Sequence, residues 1–312
     1  MQQDLQKALT DDEVERRELS QALAAPPGRK FYAGHIDPAL GRYKGSCFAR
    51  ASDDTGRKRV ASRGMNLLLI NPNTTAAMTE RMVGLAQAIV PLGCTVTGAT
   101  ARFGASYVAC RAAYAVAGHA ALDVYAEHGH DVDVVLLACF GDPGLGGLKE
   151  LARQPVVGMA EASCLLAAAF GGKFAIVTGG HRWEPMLEEF VSSIGLRSRL
   201  AGVATVAPTG AEIAAHPERA LALLANACAS VVQRTGASSV ILGGAGLAGL
   251  AARLADTVPV PVIDSLEAGI GAALAIARLE TTKARAAEFA PSLPVETVGL
   301  SKSLAKAFNN PA

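Results

Sequence analysis

The stretch VVLLACFGDPGLGGLKELARQPVVGMAEA, residues 134–162, has a counterpart later in the chain: SVILGGAGLAGLAARLADTVPVPVIDSLEA, residues 239–268. Each copy opens with a continuous apolar run, passes through a Gly-rich turn and a helical pattern, and closes on a second apolar run. Apolar strands separated by helical segments are typical of parallel sheets covered on both faces. The repeat therefore predicts an α/β fold made of two similar lobes.

The remainder of the chain after Met65 extends this pattern, because short β-like runs alternate with Ala- and Leu-rich helical stretches. NLLLINPN and KFAIVTGG also open the two halves in the same way. We expect two pseudo-symmetric lobes, each a parallel sheet of about four strands flanked by helices, with the active site between them. The predicted strands are MNLLLI, CTVTGAT, DVVLLA, PVVG, KFAIVT, GVATV, SSVILG and VPVI.

These patterns also give the expected boundaries of the lobes. The first lobe is predicted over residues 65–160 and the second over residues 161–264. A final helix over residues 265–280 is predicted to rejoin the first lobe, and residues 281–312 form a C-terminal tail.

Residues 1–64 differ in composition from the rest. An early Leu-rich stretch could line one side of a helix, but after Pro26 the chain is basic, Gly-rich and poor in aliphatic residues. We expect an N-terminal extension of one helix plus irregular chain. An alternative is that Met65 is the working start and the preceding residues are not part of the functional protein.

Composition limits the class of partner. The formal net charge of +1 comes from 29 basic and 28 acidic residues, without a long block of one sign. This balance argues against a nucleic-acid or membrane surface and favours a small-molecule substrate; a homo-oligomer is compatible with it. No apolar run has the length of a membrane span or of a signal core, and early acidic residues argue against a transit peptide. We expect a cytoplasmic protein.

The six cysteines are scattered without a CxxC pair, which argues against a zinc site and against a disulfide framework. Cys139 differs from the others because it ends an apolar run, at the strand tip where ligands bind in such sheets. Its counterpart in the second copy is Gly244. A helix predicted to begin near Gly144 would place its positive N-terminal end close to the thiol, so we expect a lowered pKa and a reactive thiolate. The other cysteines are predicted to be packing residues, apart from Cys47, which belongs to the extension.

Four motifs stand in the order in which a known family has them: INPNTT (70–75), CFGDPGL (139–145), PVVGMAEA (155–162) and VPVID (260–264). With them, residues Met65 to Leu279 resemble the aspartate/glutamate/hydantoin racemase superfamily, most closely its hydantoin and allantoin racemase branch. The resemblance implies a two-lobed isomerase that needs no cofactor and acts on a hydantoin, an allantoin or an amino-acid derivative.

Family chemistry uses two cysteines, one from each lobe, on opposite faces of an acidic Cα–H. The resemblance assigns the first cysteine to Cys139 and the second to the position of Gly244, which cannot transfer a proton. It also implies that Asn73 points into the site. Backbone N–H groups after each strand tip could hold the oxygens that gain charge in the enolate. The predicted substrate-binding residues are Asn73, Phe140, Gly141, Gly244, Ala245 and Gly246.

Several alternatives stay open at this stage. His181 follows the strand KFAIVT and could be the second acid/base or a surface histidine. Asp142 in GDPG could be an acid/base or, more in keeping with its context, a turn former. GAGLAG (244–249) matches a dinucleotide motif, with Asp264 at the expected distance, although its first-lobe counterpart does not share the pattern.

With one thiol, three activities are compatible with the sequence. The first is a racemase in which water or His181 serves the far face. The second is a single-cysteine decarboxylase of a malonate-type acid. The third is a two-lobed ligand-binding protein without turnover.

Overall fold

The computed structural model describes residues 64–279, 288–291 and 293–309, together with two short strands upstream. These are β1 (His35–Asp37) and β2 (Arg42–Lys44), which pair antiparallel. They lie in the stretch for which the sequence predicts irregular chain after a helix. The helix predicted nearer the N-terminus and Cys47 lie outside the described residues.

The first large sheet has four parallel strands in the order β4-β3-β5-β6. They are β3 (Asn66–Asn71), β4 (Thr95–Thr100), β5 (Val134–Leu137) and β6 (Val156–Gly158).

The second sheet repeats this order as β8-β7-β9-β10, again parallel throughout. Its strands are β7 (Phe174–Gly179), β8 (Leu200–Val206), β9 (Ser239–Leu242) and β10 (Val262–Asp264). The predicted α/β fold with two four-stranded parallel sheets is confirmed.

Helices cover these sheets. They are α1 (Ala76–Ile89), α2 (Arg111–His128), α3 (Leu145–Leu151), α4 (Met159–Ala169), α5 (Trp183–Ser193), α6 (Gly210–Ala215), α7 (Pro217–Thr235), α8 (Ala251–Leu254), α9 (Ser265–Ala277) and α10 (Lys302–Asn309). None of the helices within the described residues is long and apolar enough to cross a bilayer.

Strand burial follows position in the sheet. The central strands β5 and β9 are buried at every residue, whereas the edge strands β4 and β8 expose part of theirs. A central parallel strand covered by helices on both faces needs an unbroken apolar run, which is what VVLL and SVIL nearly supply. Because all strands of each sheet are parallel, their carboxyl ends lie at one edge of the sheet, where ligands bind in such folds.

Two helices connect the lobes. The helix α4 follows the last strand of the first sheet but packs against β7, β9 and β10 of the second. In the same way α9 follows the second sheet and packs against β5 and β6 of the first, and the two helices pack against each other. One apolar core therefore runs through both sheets and includes Leu136 of β5 and Ile241 of β9.

The C-terminal part of the chain also carries structure. The helix α10 packs against α2 and buries Leu304. The sequence had predicted only a tail over this region.

Candidate active site

A pocket lies at the carboxyl ends of both sheets. It takes in about 490 Å³ of space between the protein atoms, part of which is open solvent. Six of the candidate site residues line it: Asn73, Cys139, Phe140, Gly244, Ala245 and Gly246. The two strand tips that the repeat paired are therefore brought together in the structure.

Cys139 follows β5 and is almost completely buried, with 8% of its surface exposed. Burial raises the pKa of this thiol to about 12, and the nearby charge of Asp142 makes a smaller contribution in the same direction. The prediction of a lowered pKa is therefore wrong. The helix α3 does begin nearby, at Leu145, but it has only seven residues and does not offset the loss of hydration. Cys139 is consequently a neutral thiol at physiological pH.

Asp142 occupies the turn after Cys139 with a left-handed backbone, φ 53°. Its buried carboxyl accepts hydrogen bonds from the N–H groups of Ala160 at 2.9 Å and Glu161 at 2.7 Å, at the start of α4. Burial raises the pKa of Asp142 to about 7, although these two hydrogen bonds lower it. The turn-forming interpretation fits this geometry, and the carboxyl in addition ties the Cys139 loop to the helix that enters the second lobe.

Gly244 holds the corresponding position after β9 and adopts φ 131°, a conformation that residues with a side chain rarely take. Its N–H donates to Ser265 Oγ at 3.2 Å. Ala245 and Gly246 begin a short 3-10 turn, so their N–H groups have no acceptor inside it. A side chain on Gly246 would collide with the carbonyl of Gly210, which explains a second glycine in this loop.

Asn73 is buried just before α1, which begins at Ala76. Its Oδ1 accepts hydrogen bonds from Asn71 Nδ2 at 3.1 Å and from the Thr75 N–H at 2.9 Å. Because the oxygen is used to build this turn, the amide nitrogen is the part of the Asn73 side chain that can donate to a ligand.

Two candidate site residues, Gly141 and His181, do not line the pocket. Gly141 is not part of the pocket lining, and its carbonyl accepts a hydrogen bond from the Tyr114 hydroxyl at 2.6 Å. His181 is exposed and its Nδ1 lies 3.3 Å from Thr205 Oγ1 of β8. The imidazole is thus outside the pocket lining, and of the two alternatives for His181 this position fits a surface histidine better than a second acid/base.

The structure adds pocket residues that the sequence did not suggest. Tyr107, Thr178 and Trp183 contribute polar or aromatic groups to the lining. Thr178 and Trp183 lie at or just after the tip of β7, so the strand-tip argument applied to KFAIVTGG could have found them. Tyr107 comes from a loop of the first half and reaches the second lobe, which no local pattern indicates.

The alternative interpretation of GAGLAG as a dinucleotide site does not fit the structure. Asp264, at the end of β10, accepts the N–H of Gly249 at 2.6 Å and caps α9 by accepting the N–H of Leu266 at 2.9 Å. A carboxyl used in this way holds the protein backbone rather than a ribose.

Comparison with known proteins agrees with this geometry. Residues 67–273 match the family description Asp/Glu/Hydantoin racemase. The chain belongs to the Asp/Glu/hydantoin racemase family. Among the relatives within this family, a hydantoin racemase of Paenarthrobacter aurescens is 35% identical over 226 residues, which cover 70% of this chain and 95% of the relative. A hydantoin racemase of Pseudomonas sp. is 31% identical over 66% of this chain and 83% of its own.

Solved structures of the family give the same result. The allantoin racemase of Pseudomonas fluorescens superposes with a TM-score of 0.73 at 29% identity, covering 75% of this chain and 100% of its own. The matches cover the two lobes, which are the part of the chain from which the family resemblance was inferred.

Proposed function

We propose that this protein removes and returns the acidic Cα proton of a small carbonyl compound, a hydantoin, an allantoin or a related amino-acid derivative, with Cys139 as the acid/base. The observation that carries the proposal is the pocket at the facing strand tips, with the Cys139 thiol in its wall. The family membership and the names of the relatives support the reaction type and the substrate class.

Removal of a Cα proton leaves an enolate, whose oxygen must be stabilised. Three groups in the lining can donate hydrogen bonds to that oxygen, namely the N–H groups of Ala245 and Gly246 and the amide nitrogen of Asn73. All three are neutral donors in a mostly buried pocket, where hydrogen bonds to a developing charge are stronger than in water.

The raised pKa of Cys139 has a consequence for this chemistry. A thiol is a poor base, so the thiolate has to form in the course of turnover and is present only as a small fraction near neutral pH. We therefore expect the rate of proton removal to rise about tenfold for each pH unit between about pH 7 and 9, as the thiolate fraction does below its pKa. A rate that is flat over this range would contradict a thiolate with such a raised pKa.

The second half of the proposal concerns Gly244. We propose that it occupies the position of the second family cysteine, so that only one face of the substrate meets a thiol. Loss of CO2 from a malonate-type acid needs only one proton donor, and the glycine at this position is the observation that keeps a decarboxylase as a second candidate.

Solvent exchange tests the proposal directly. The two enantiomers of a 5-substituted hydantoin, and those of allantoin, are incubated separately in D2O with the protein, and deuterium uptake and chiral composition are measured on the same sample. We expect uptake at Cα with the unmodified protein and a loss of about 100- to 10,000-fold in C139A. No uptake with either compound, together with CO2 release from a substituted malonate, would replace the racemase with the decarboxylase.

A further inference from the structure

Inversion at Cα requires a proton donor on the face that Cys139 does not reach, and Gly244 has none. Asn73 of the first lobe lines the pocket, but an amide is too weak an acid for proton transfer. Among the other described lining residues, three carry a polar hydrogen on the side chain: Tyr107, Thr178 and Trp183. Thr178 already donates its hydroxyl proton to the Gly243 carbonyl at 2.7 Å. An indole N–H is too weak an acid for proton transfer. Tyr107 is the candidate that remains.

The hydroxyl of Tyr107 lies at the second lobe although its backbone belongs to the first. It accepts a hydrogen bond from the Gly210 N–H at 3.0 Å and lies 3.3 Å from the Gly179 carbonyl, to which it donates. The second contact is long and therefore weak, so the proton is available to a better acceptor.

Two neighbours place this hydroxyl on the wall opposite Cys139. Gly179 ends β7, which pairs with β9, the strand whose tip carries Gly244. Gly210 is in direct contact with Gly246, two residues after Gly244. Cys139 instead follows β5 of the first sheet. The thiol therefore borders the pocket beside the first sheet, and the phenol hydroxyl borders it beside the second.

We propose that Tyr107 is the catalytic residue that gives and takes the proton on the Cα face opposite Cys139, in place of a second cysteine. This rests on the proposed function.

The proton balance of the step is simple. With Cys139 as thiolate and Tyr107 as phenol, the Cα–H bond breaks, the proton joins the sulfur, and the electron pair moves into the enolate. The phenol O–H bond then breaks and its proton forms a new bond to Cα on the other face. The product state has a thiol and a phenolate, which is the starting state for the opposite enantiomer, so no other reactant is needed.

The electrostatics of the phenol are compatible with this exchange. Burial raises the pKa of Tyr107, while the hydrogen bond from Gly210 and the side chain of Trp183 lower it. Burial raises the pKa of Cys139 as well, so both groups hold their protons more tightly than free side chains do.

The test is Y107F, which removes the proton and keeps the ring. Deuterium uptake is followed for each enantiomer separately, together with inversion. We expect the enantiomer that Cys139 deprotonates to exchange within about tenfold of the unmodified rate. Inversion, and exchange of the other enantiomer, should fall about 100- to 10,000-fold.

The matched control is Y114F, because the Tyr114 hydroxyl is also largely buried but donates to the Gly141 carbonyl on the Cys139 side. Y114F should change three rates by the same factor: deuterium exchange of one enantiomer, deuterium exchange of the other, and inversion. If Y107F also lowered all three rates by one factor, or lowered none, Tyr107 would not be the second acid/base. That result would leave the proposed function standing, whereas absence of exchange in the unmodified protein would remove both.

A rescue experiment distinguishes proton transfer from a structural role. In the Y107F background, G244C provides a thiol on the side of the pocket where the Tyr107 hydroxyl had been. G244A introduces the same backbone strain but no thiol. A side chain at Gly244 would meet only Leu247 Cδ1 at 3.5 Å and Thr178 Oγ1 at 3.7 Å, so there is space for it. We expect Y107F/G244C to recover inversion at least about tenfold over Y107F/G244A, and equal rates would overturn the proposal.

A further measurement does not depend on the folding of any variant. Replacement of tyrosine by 3-fluorotyrosine during expression makes the phenol more acidic at nearly unchanged size. The pH profile for the enantiomer on the Tyr107 face should move to lower pH, and that for the enantiomer on the Cys139 face should stay. Two profiles that move together, or not at all, would overturn the proposal.

Discussion

The loop after β5 and the loop after β9 are related by the internal repeat, yet they are stabilised in different ways. The first loop is held by a buried acid: Asp142 binds the start of α4 through two N–H groups. The second is held by a cation in addition to a buried acid. Arg81 of α1 donates to the carbonyls of Gly246 at 3.1 Å and Ala248 at 2.8 Å. Asp264 accepts the N–H of Gly249 at 2.6 Å. The first loop therefore presents a titratable side chain, Cys139, to the pocket, whereas the second presents only backbone at the corresponding position, Gly244.

The largest effect should come from the residue that differs most between the loops. C139S keeps the shape of the side chain but replaces the thiol with a much weaker acid, so deuterium uptake by the enantiomer on its face should fall about 100- to 10,000-fold. C164S is the control, since Cys164 is also buried but lies within α4. Equal losses in C139S and C164S would mean that a change in packing, rather than proton transfer, explains the effect.

The anchors of the two loops should respond differently to pH. Because the pKa of Asp142 in the folded protein, about 7, lies above its ordinary value, the folded state binds this proton more tightly than the unfolded chain. The resulting stability is fully present below about pH 4 and is lost as pH rises through about 7. The unfolding free energy of D142N relative to the unmodified protein should therefore rise between about pH 4 and 7, by roughly 4 kcal/mol at most, and stay constant above that range.

Denaturant titrations at several pH values measure this difference. D133N is the control, because Asp133 also accepts a backbone N–H, that of Asn66 at 2.7 Å, but is partly exposed. A relative stability of D142N that does not depend on pH would contradict the raised pKa.

The anchor of the second loop should matter for stability independently of pH. R81Q leaves the carbonyls of Gly246 and Ala248 without their charged donor in a partly buried place, at a cost of about 1–3 kcal/mol. R253Q is the matched control, since Arg253 forms an exposed ion pair with Glu218, which contributes little. If R81Q and R253Q had the same melting temperature, the second loop would not depend on Arg81.

The smallest expected effect concerns the rate at which the Cys139 thiol is labelled. Cys139 should react with iodoacetamide more slowly than the partly exposed Cys94 and Cys110, because it is buried and protonated. D142N should speed up labelling of Cys139 several-fold, because the nearby charge that raises the thiol pKa is gone. Mass mapping of brief reactions gives the order, and labelling of Cys139 first would contradict the raised pKa.

The fold and the position of the pocket could be predicted because the repeat fixes both. Parallel strands place their tips at one edge, so Cys139 and Gly244 follow from alignment of the two copies alone. The pKa of Cys139 could not be predicted in this way, because it depends on burial and on a carboxyl whose orientation is set by α4. Tyr107 was missed for a similar reason: its hydroxyl reaches its partners, Gly179 and Gly210, across a large separation in sequence. His181, by contrast, satisfied the strand-tip rule, but its side chain lies against β8.

The exchange of α4 and α9 between the two sheets has a consequence for how the chain folds. While the first half is being synthesised, β5 and β6 lack the helix that covers them, because α9 is made near the end. Contacts between segments so distant in sequence form late and slowly. We expect the two lobes to unfold in a single transition, and a fragment that ends before Ser265 to expose the apolar face of the first sheet and aggregate.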